Sequence, residues 1–227
     1  MFPTTTDLPR NNAIISKFYN SYGQAVGLIL AAFLCCSATS LKAQTFRAGL
    51  SAGVIASQVS GDGYGGFDKA GIFAGSFINY YTSENWSLQM EINYAEKGSR
   101  KNPNTAEGDH TFFRLRLKYV DVPLLAKVDY NDFTFEFGLY YGRLISYELE
   151  DENGVFDLPE RSNDFEDNEV GALIGITYNF TDQLLMNWRL NNSIQEIREY
   201  DSESEYLLND GMFNTYLTFS LRYEFIK

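Results

Sequence analysis

The chain is poor in the side chains that most catalytic and metal-binding sites rely on. Its 227 residues include one histidine and two cysteines. Both cysteines, Cys35 and Cys36, lie in an N-terminal apolar run, so the remainder has no thiol for a disulfide, a nucleophile or a metal centre. The histidine, His110, follows Gly108-Asp109 between two stretches of strand character. No Gly-x-Ser-x-Gly motif accompanies it, so a catalytic triad lacks its parts and His110 reads as a solvated loop residue. Cations are scarce too: 18 Lys and Arg stand against 30 Asp and Glu, a net charge of −12. A nucleic-acid binder needs a cationic face to displace phosphate counterions, which excludes that class. Helical periodicity is absent throughout.

Residues 1–43 read as an export signal. Arg10 and Lys17 precede the apolar run Ala25 to Cys36, which gives way to small and polar residues ending at Ala43. The run is too short for a transmembrane helix, which needs roughly 20 apolar residues. Cleavage after Ala43 removes Arg10, Lys17, Lys42 and Asp7. The mature domain, 44–227, then carries 15 basic and 29 acidic side chains, a net −14.

Aromatic residues are abundant, with 16 Tyr, 18 Phe and 2 Trp, yet mean hydropathy is slightly negative. Apolar side chains must therefore alternate with polar ones, as in strands. Eight stretches qualify: Phe46–Gln58, Ala70–Tyr81, Trp86–Ser99, Thr111–Val128, Phe133–Leu149, Val170–Phe180, Leu184–Ile197 and Met212–Ile226. In the third, Trp86, Leu88, Met90, Ile92 and Tyr94 share one face, while Ser87, Gln89, Glu91, Asn93 and Ala95 share the other. The fifth and eighth repeat the pattern.

The connections alternate in length. Short ones are Thr82–Asn85, Asp129–Asp132 and Thr181–Gln183; long ones are Val59–Lys69, Arg100–His110, Glu150–Glu169 and Arg198–Gly211. In an up-and-down meander this order puts every short turn at one end and every long loop at the other. Outer-membrane barrels have this asymmetry, with short periplasmic turns and long external loops. Hydrocarbon cannot satisfy an open sheet edge, so the strands must close into a ring. The expected fold is an all-β, eight-stranded antiparallel transmembrane barrel, with periplasmic termini and extracellular long loops. The rival is a soluble, exported lipocalin-like carrier, which would turn the aromatic face inward.

An outward aromatic face makes Trp86, Tyr94, Phe133, Tyr141, Trp188 and Tyr223 candidates for membrane-interface girdles. The polar face then places Glu91, Arg114, Arg116, Lys118, Asp121, Lys127, Glu136, Arg189, Arg222 and Glu224 in the lumen. An eight-stranded lumen is only wide enough for side chains to fill, so these charges are expected to pair. The fourth strand carries an irregularity. Phe113, Leu115, Leu117 and Tyr119 hold one parity, and Val120, Val122, Leu124, Ala126 and Val128 the other. A bulge at Tyr119–Val120, near Pro123, would reconcile them. In the acidic loop, Asp151, Asn153 and Asp157 form a loose calcium-loop-like pattern without the full spacing.

Several segments resemble the PorT-like outer-membrane barrel family of Bacteroidota. They are Phe46-Arg-Ala-Gly-Leu50 with Gly53, Gly71-Ile-Phe-Ala-Gly75, Glu91-Ile-Asn-Tyr94 with Lys97-Gly98, Tyr119-Val-Asp-Val-Pro123-Leu-Leu125 with Lys127, and Phe137-Gly-Leu-Tyr-Tyr-Gly142. The resemblance covers most of 44–227 and implies an outer-membrane barrel. Some relatives are tied to type IX secretion, and the family supplies no catalytic residues to transfer. A non-enzymatic structural or interaction role in the cell envelope is therefore expected, with membrane lipid and an envelope or secretion-complex protein as partners and no cofactor. A narrow pore, or a barrel binding a small ligand or divalent cation, is the alternative. A barrel hydrolase ranks behind both for want of a nucleophile and base.

Overall fold

The computed structural model describes residues 46–156, 165–199 and 211–225; the export segment, Asp157 and Ile226 lie outside them. Ten strands follow in order: β1 Phe46–Ser60, β2 Lys69–Tyr81, β3 Trp86–Lys101, β4 Phe113–Tyr130, β5 Phe133–Asp151, β6 Gly154–Phe156, β7 Asn168–Asn179, β8 Leu184–Ser193, β9 Arg198–Glu199 and β10 Gly211–Phe225. Eight of these are staves, each antiparallel to the next, in the order β1-β2-β3-β4-β5-β7-β8-β10, and β10 pairs back onto β1. The small strands β6 and β9 only extend hairpins from β5 and β10.

Strand stagger fixes the shape of the ring. From Ala48, cross-strand partners run through Ile78, Met90, Leu124, Leu139, Ala172, Asn192 and Thr215 and return to β1 at Gln58, ten residues further on (58 minus 48). With a rise of about 3.3 Å per residue and strands about 4.8 Å apart, that stagger tilts the staves by roughly 40° around a backbone radius of roughly 8 Å. A cylinder this narrow has no room for an open channel once side chains enter it.

The three short connections share one end, and the tightest, Asn131-Asp132, joins the paired Tyr130 and Phe133. Asn131 takes a φ of 53°, the left-handed conformation that a two-residue hairpin demands and that Asn tolerates better than most residues.

Outward side chains in the half nearer the short turns are apolar and exposed, among them Ile72 at 60%, Leu124 at 62% and Phe137 at 49%. On β5 this band runs from Phe133 to Tyr141, about 20 Å along the axis at the rise and tilt above, close to the apolar band of about 25 Å of outer-membrane barrels. Polar side chains point inward at the same height, the reverse of what a lipocalin-like carrier requires.

Beyond the band the polarity inverts. Leu115, Leu117 and Tyr119 of β4 turn inward and are 0–1% exposed, packing with Val59, Leu149, Phe165, Ile197 and Met212. Arg114, Arg116 and Lys118 point outward. This corrects two sequence expectations at once. The parity change at Tyr119–Val120 is no bulge, because Glu96 to Lys97 and Tyr94 to Ala95 pair with Lys118 to Leu117 and Val120 to Tyr119 in unbroken register. Every inward residue of β4 keeps one parity, and what changes is the medium outside: lipid around Val120 to Val128, water around Arg114 to Lys118. The extra residue belongs to β5, where Lys118 faces Ser146 and Tyr119 faces Leu144, leaving Ile145 unpaired. Pro123 stays in register opposite Tyr140, but the β3 ladder skips Glu91 and Ile92 across from it, as a missing N–H requires.

Candidate functional site

The lumen is stacked in layers that can be followed on β3, whose inward positions from the short-turn end are Ser87, Gln89, Glu91, Asn93, Ala95, Lys97 and Ser99. The first ionic layer centres on Glu91. Arg189 of β8 reaches it with Nη1 at 2.7 Å and Nη2 at 2.6 Å, and its Nε donates to Glu136 of β5. Arg222 of β10 spans the same carboxylates at 3.2 and 3.3 Å. Two guanidinium groups and two carboxylates form a neutral quartet, joined by Asn93 and Asn187, which donate to Glu91 at 2.7 Å and Glu136 at 2.6 Å. Planar guanidinium groups suit this bridging, since each can serve two acceptors at once.

Next come Ile55, Phe73, Ala95, Leu125, Tyr140, Leu173 and Tyr216, a buried apolar and aromatic layer. Lys97 then sits at the centre of a second ionic layer. Its ammonium is 2.9 Å from Asp121 and 3.2 Å from Glu169 and lies 4.3, 4.9 and 4.6 Å from the ring centres of Tyr119, Tyr140 and Tyr216. Tyr140 and Tyr216 donate their hydroxyls to Glu169 at 2.6 Å and Asp121 at 3.0 Å. A desolvated cation against aromatic faces gains from each ring quadrupole, while the carboxylates offset its burial. The apolar cluster around Leu115 and Leu117 lies above. Phe165 enters it from the chain before β7 and packs against Tyr147, with ring centres 5.2 Å apart.

Of the sequence-predicted lumenal residues, Glu91, Asp121, Lys127, Glu136, Arg189, Arg222 and Glu224 do point inward. Lys127 donates to Gln89 at 2.8 Å, and Glu224 pairs with Arg47 at 3.0 Å. The other three, Arg114, Arg116 and Lys118, belong to the outer wall, where Arg114 meets Glu150 and Arg116 meets Glu148 at 2.7 Å. Sequence reading missed Lys97 and Glu169. Lys97 continues the inward parity of Glu91, Asn93 and Ala95, and that was the available signal; Glu169 lies in what read as a long loop but forms part of β7.

Among the expected girdle residues, Trp86, Phe133 and Tyr223 lie toward the short-turn edge of the apolar band, and Tyr94 and Tyr141 lie at the other edge. Trp188 departs from the expectation. It faces outward at mid-strand, between Ile176 and Phe219, where an indole meets acyl chains rather than headgroups.

At the short-turn mouth a polar cavity of about 420 Å³ is lined by Arg47, Tyr81, Lys127, Asp129, Thr134 and Glu224, among others. Asp151 accepts the Asn153 backbone N–H at 2.7 Å in a local turn, and Asp157, their third partner in the calcium-like pattern, lies outside the described residues. No grouping of three or more metal-ligating His, Cys, Asp or Glu occurs among the described residues. His110 is exposed. The carboxyl of neighbouring Asp109 is held down at about 2, first by the backbone N–H of Thr111 and then by the Lys101 ammonium.

Comparison with solved structures returns outer-membrane barrels at low identity. Ail of Yersinia pestis is 13% identical over 79% of this chain and 98% of its own, with a TM-score of 0.44. Neisserial surface protein A is 13% identical over 81% and 100%, with a TM-score of 0.47, and outer membrane protein W of E. coli is 14% identical over 81% and 100%, with a TM-score of 0.35. No curated protein matches. A family model does, over residues 42–198, and its description is that of the architecture built up above from strand register and lumenal packing. The chain belongs to the outer membrane protein beta-barrel domain family.

Proposed function

We propose that this protein is a non-enzymatic barrel of the cell envelope that works through the loops and strand extensions of its long-loop end, with its termini and short turns in the periplasm. The observation that carries this reading is the filled lumen. Among the described residues, two ionic layers and two apolar layers, the last closed by Phe165, fill the lumen, which supports a role at the loops over one in transport. The long-loop end is the part with chemistry to spare. There β3, β4 and β5 continue past the apolar band, and β6 adds a short strand carrying Val155, which is 69% exposed. A raised sheet of this kind suits contact with another envelope protein.

The finer assignment, an accessory of type IX secretion, draws on the PorT-like sequence segments and is part of this proposal. Cross-linking in intact outer membranes, followed by identification of what joins the wild type but not a variant lacking residues 152–156, tests it. A secretion-complex component supports the finer assignment, and another envelope protein supports only the broader one. Steady ion conductance in planar bilayers would favour the narrow-pore reading and overturn this one.

A further inference from the structure

The three cations that sequence parity had assigned to the lumen stand on the outer wall, and their neighbours show what they face. In a chain with a net charge of −12, Arg100 and Lys101 of β3 and Arg114, Arg116 and Lys118 of β4 gather on two adjacent strands just past the apolar band. The cross-strand pair Tyr94 and Val120 is its last apolar row there, and the next outward pair is Glu96 and Lys118. Each outward row climbs about 5 Å, two residues of about 3.3 Å at the strand tilt, so Lys118 stands about 5 Å, Arg116 about 10 Å and Arg100, opposite Arg114, about 15 Å above that row. The polar zone on each side of a bilayer is roughly 5–8 Å deep. The strip therefore begins at headgroup height, within reach of long side chains.

Carboxylates do not use up this strip. Arg114 pairs with Glu150, Arg116 with Glu148 and Glu96, and Lys101 with Asp109. Among the described residues Arg100 and Lys118 have no ion-pair partner, and the Nε atoms of Arg100 and Arg114 make no hydrogen bond. An unpaired Lys118 next to Arg116, continuous with the lipid-facing wall, matches one kind of partner in charge and height. We propose that this face of β3 and β4 binds anionic, phosphate-bearing lipid headgroups, with Lys118 as the principal contact. It requires only that the barrel sits in a bilayer, not that its loops point in a particular direction.

The test uses the full chain in bilayers of equal parts phosphatidylcholine and phosphatidylglycerol at low salt, released for native mass spectrometry of retained lipid. A free cation near an anionic surface is worth about a fivefold preference, about 1 kcal/mol. The wild type is expected to retain phosphatidylglycerol at least fivefold over phosphatidylcholine, and the charge-reversal variant Lys118→Glu less than twofold. Lys118→Gln alone should fall between them. A heat-modified gel shift on every variant checks that the ring still closes, and neither substitution breaks an ion pair. Equal retention of both lipids by the wild type, or an undiminished preference in Lys118→Glu, overturns the proposal. Inorganic phosphate that strips the retained lipid at millimolar concentration would make a soluble anion the ligand and overturn it as well.

Discussion

Replacing Arg189 with methionine tests whether the lumenal charges hold the barrel or merely occupy it. Arg189 makes two hydrogen bonds to Glu91, at 2.7 and 2.6 Å, and a third to Glu136. Without it Arg222 alone faces both carboxylates, at 3.2 and 3.3 Å, and a full negative charge is left where the side chains are 0–2% exposed. Removing one member of a buried ion pair costs about 3–5 kcal/mol, or two to four decades in the folding equilibrium. Arg222→Met removes the longer contacts and leaves the shorter ones intact, so its loss should be nearer 1.5–3 kcal/mol, the scale of a charged hydrogen bond. The double variant Arg189→Met/Glu136→Gln is neutral again and should recover at least half of the single-variant loss. Urea unfolding in bilayers of these three variants and of Glu136→Gln alone, followed by tryptophan fluorescence, gives the four numbers. A loss below about 1 kcal/mol for Arg189→Met would refute the reasoning. So would equal losses for the two arginines, or a double variant as unstable as the sum of its single changes.

Other consequences of the layering are open to measurement. Arg114→Ala, on the wet outer wall, should cost no more than about 1 kcal/mol in the same unfolding assay, against about 3–5 kcal/mol for Arg189→Met. Each Trp can be isolated by changing the other to Phe. Lipids brominated at mid-chain should then quench Trp188 more than Trp86, and the opposite order would misplace the apolar band. The Asp109 carboxyl, depressed in the folded state to about 2, should titrate there by NMR rather than near the unfolded value of about 3.9. Its stabilising contribution is complete above the unfolded value and disappears as pH falls through about 2, so Lys101→Ala should move the titration upward. Phe165→Ala should speed proteolysis of the segment before β7, because that ring fastens it to the apolar cluster.

Alternation in β3, β5 and β10 was enough to read the staves, and the order of short and long connections was enough to place their ends. Both follow from local rules: a two-residue side-chain period and the length of chain needed to turn. The parity of β4 was read correctly and interpreted wrongly. Apolar residues at Phe113, Leu115 and Leu117 mark whichever side is away from water, and that side changes where the strand leaves lipid. The sequence held a corrective, since the outward cations of β4 oppose outward Glu148 and Glu150 on β5, as cross-strand pairs do. The Lys97 layer was harder to see. Its members come from β3, β4, β5, β7 and β10, and only ring closure brings them together.

That closure has a consequence for how the protein is made. β1 and β10 meet along Ala48–Ser60, and the Arg47–Glu224 ion pair at their seam joins residues 177 positions apart. No other pair of neighbouring staves is so distant in sequence, and loop-closure entropy makes such contacts slow to form. Until the last strand docks, the chain presents two long unpaired edges, each a template for pairing with a stray strand. The journey from synthesis to insertion therefore has to be made with both edges shielded, and the moment of greatest hazard is the one before the first and last strands find each other.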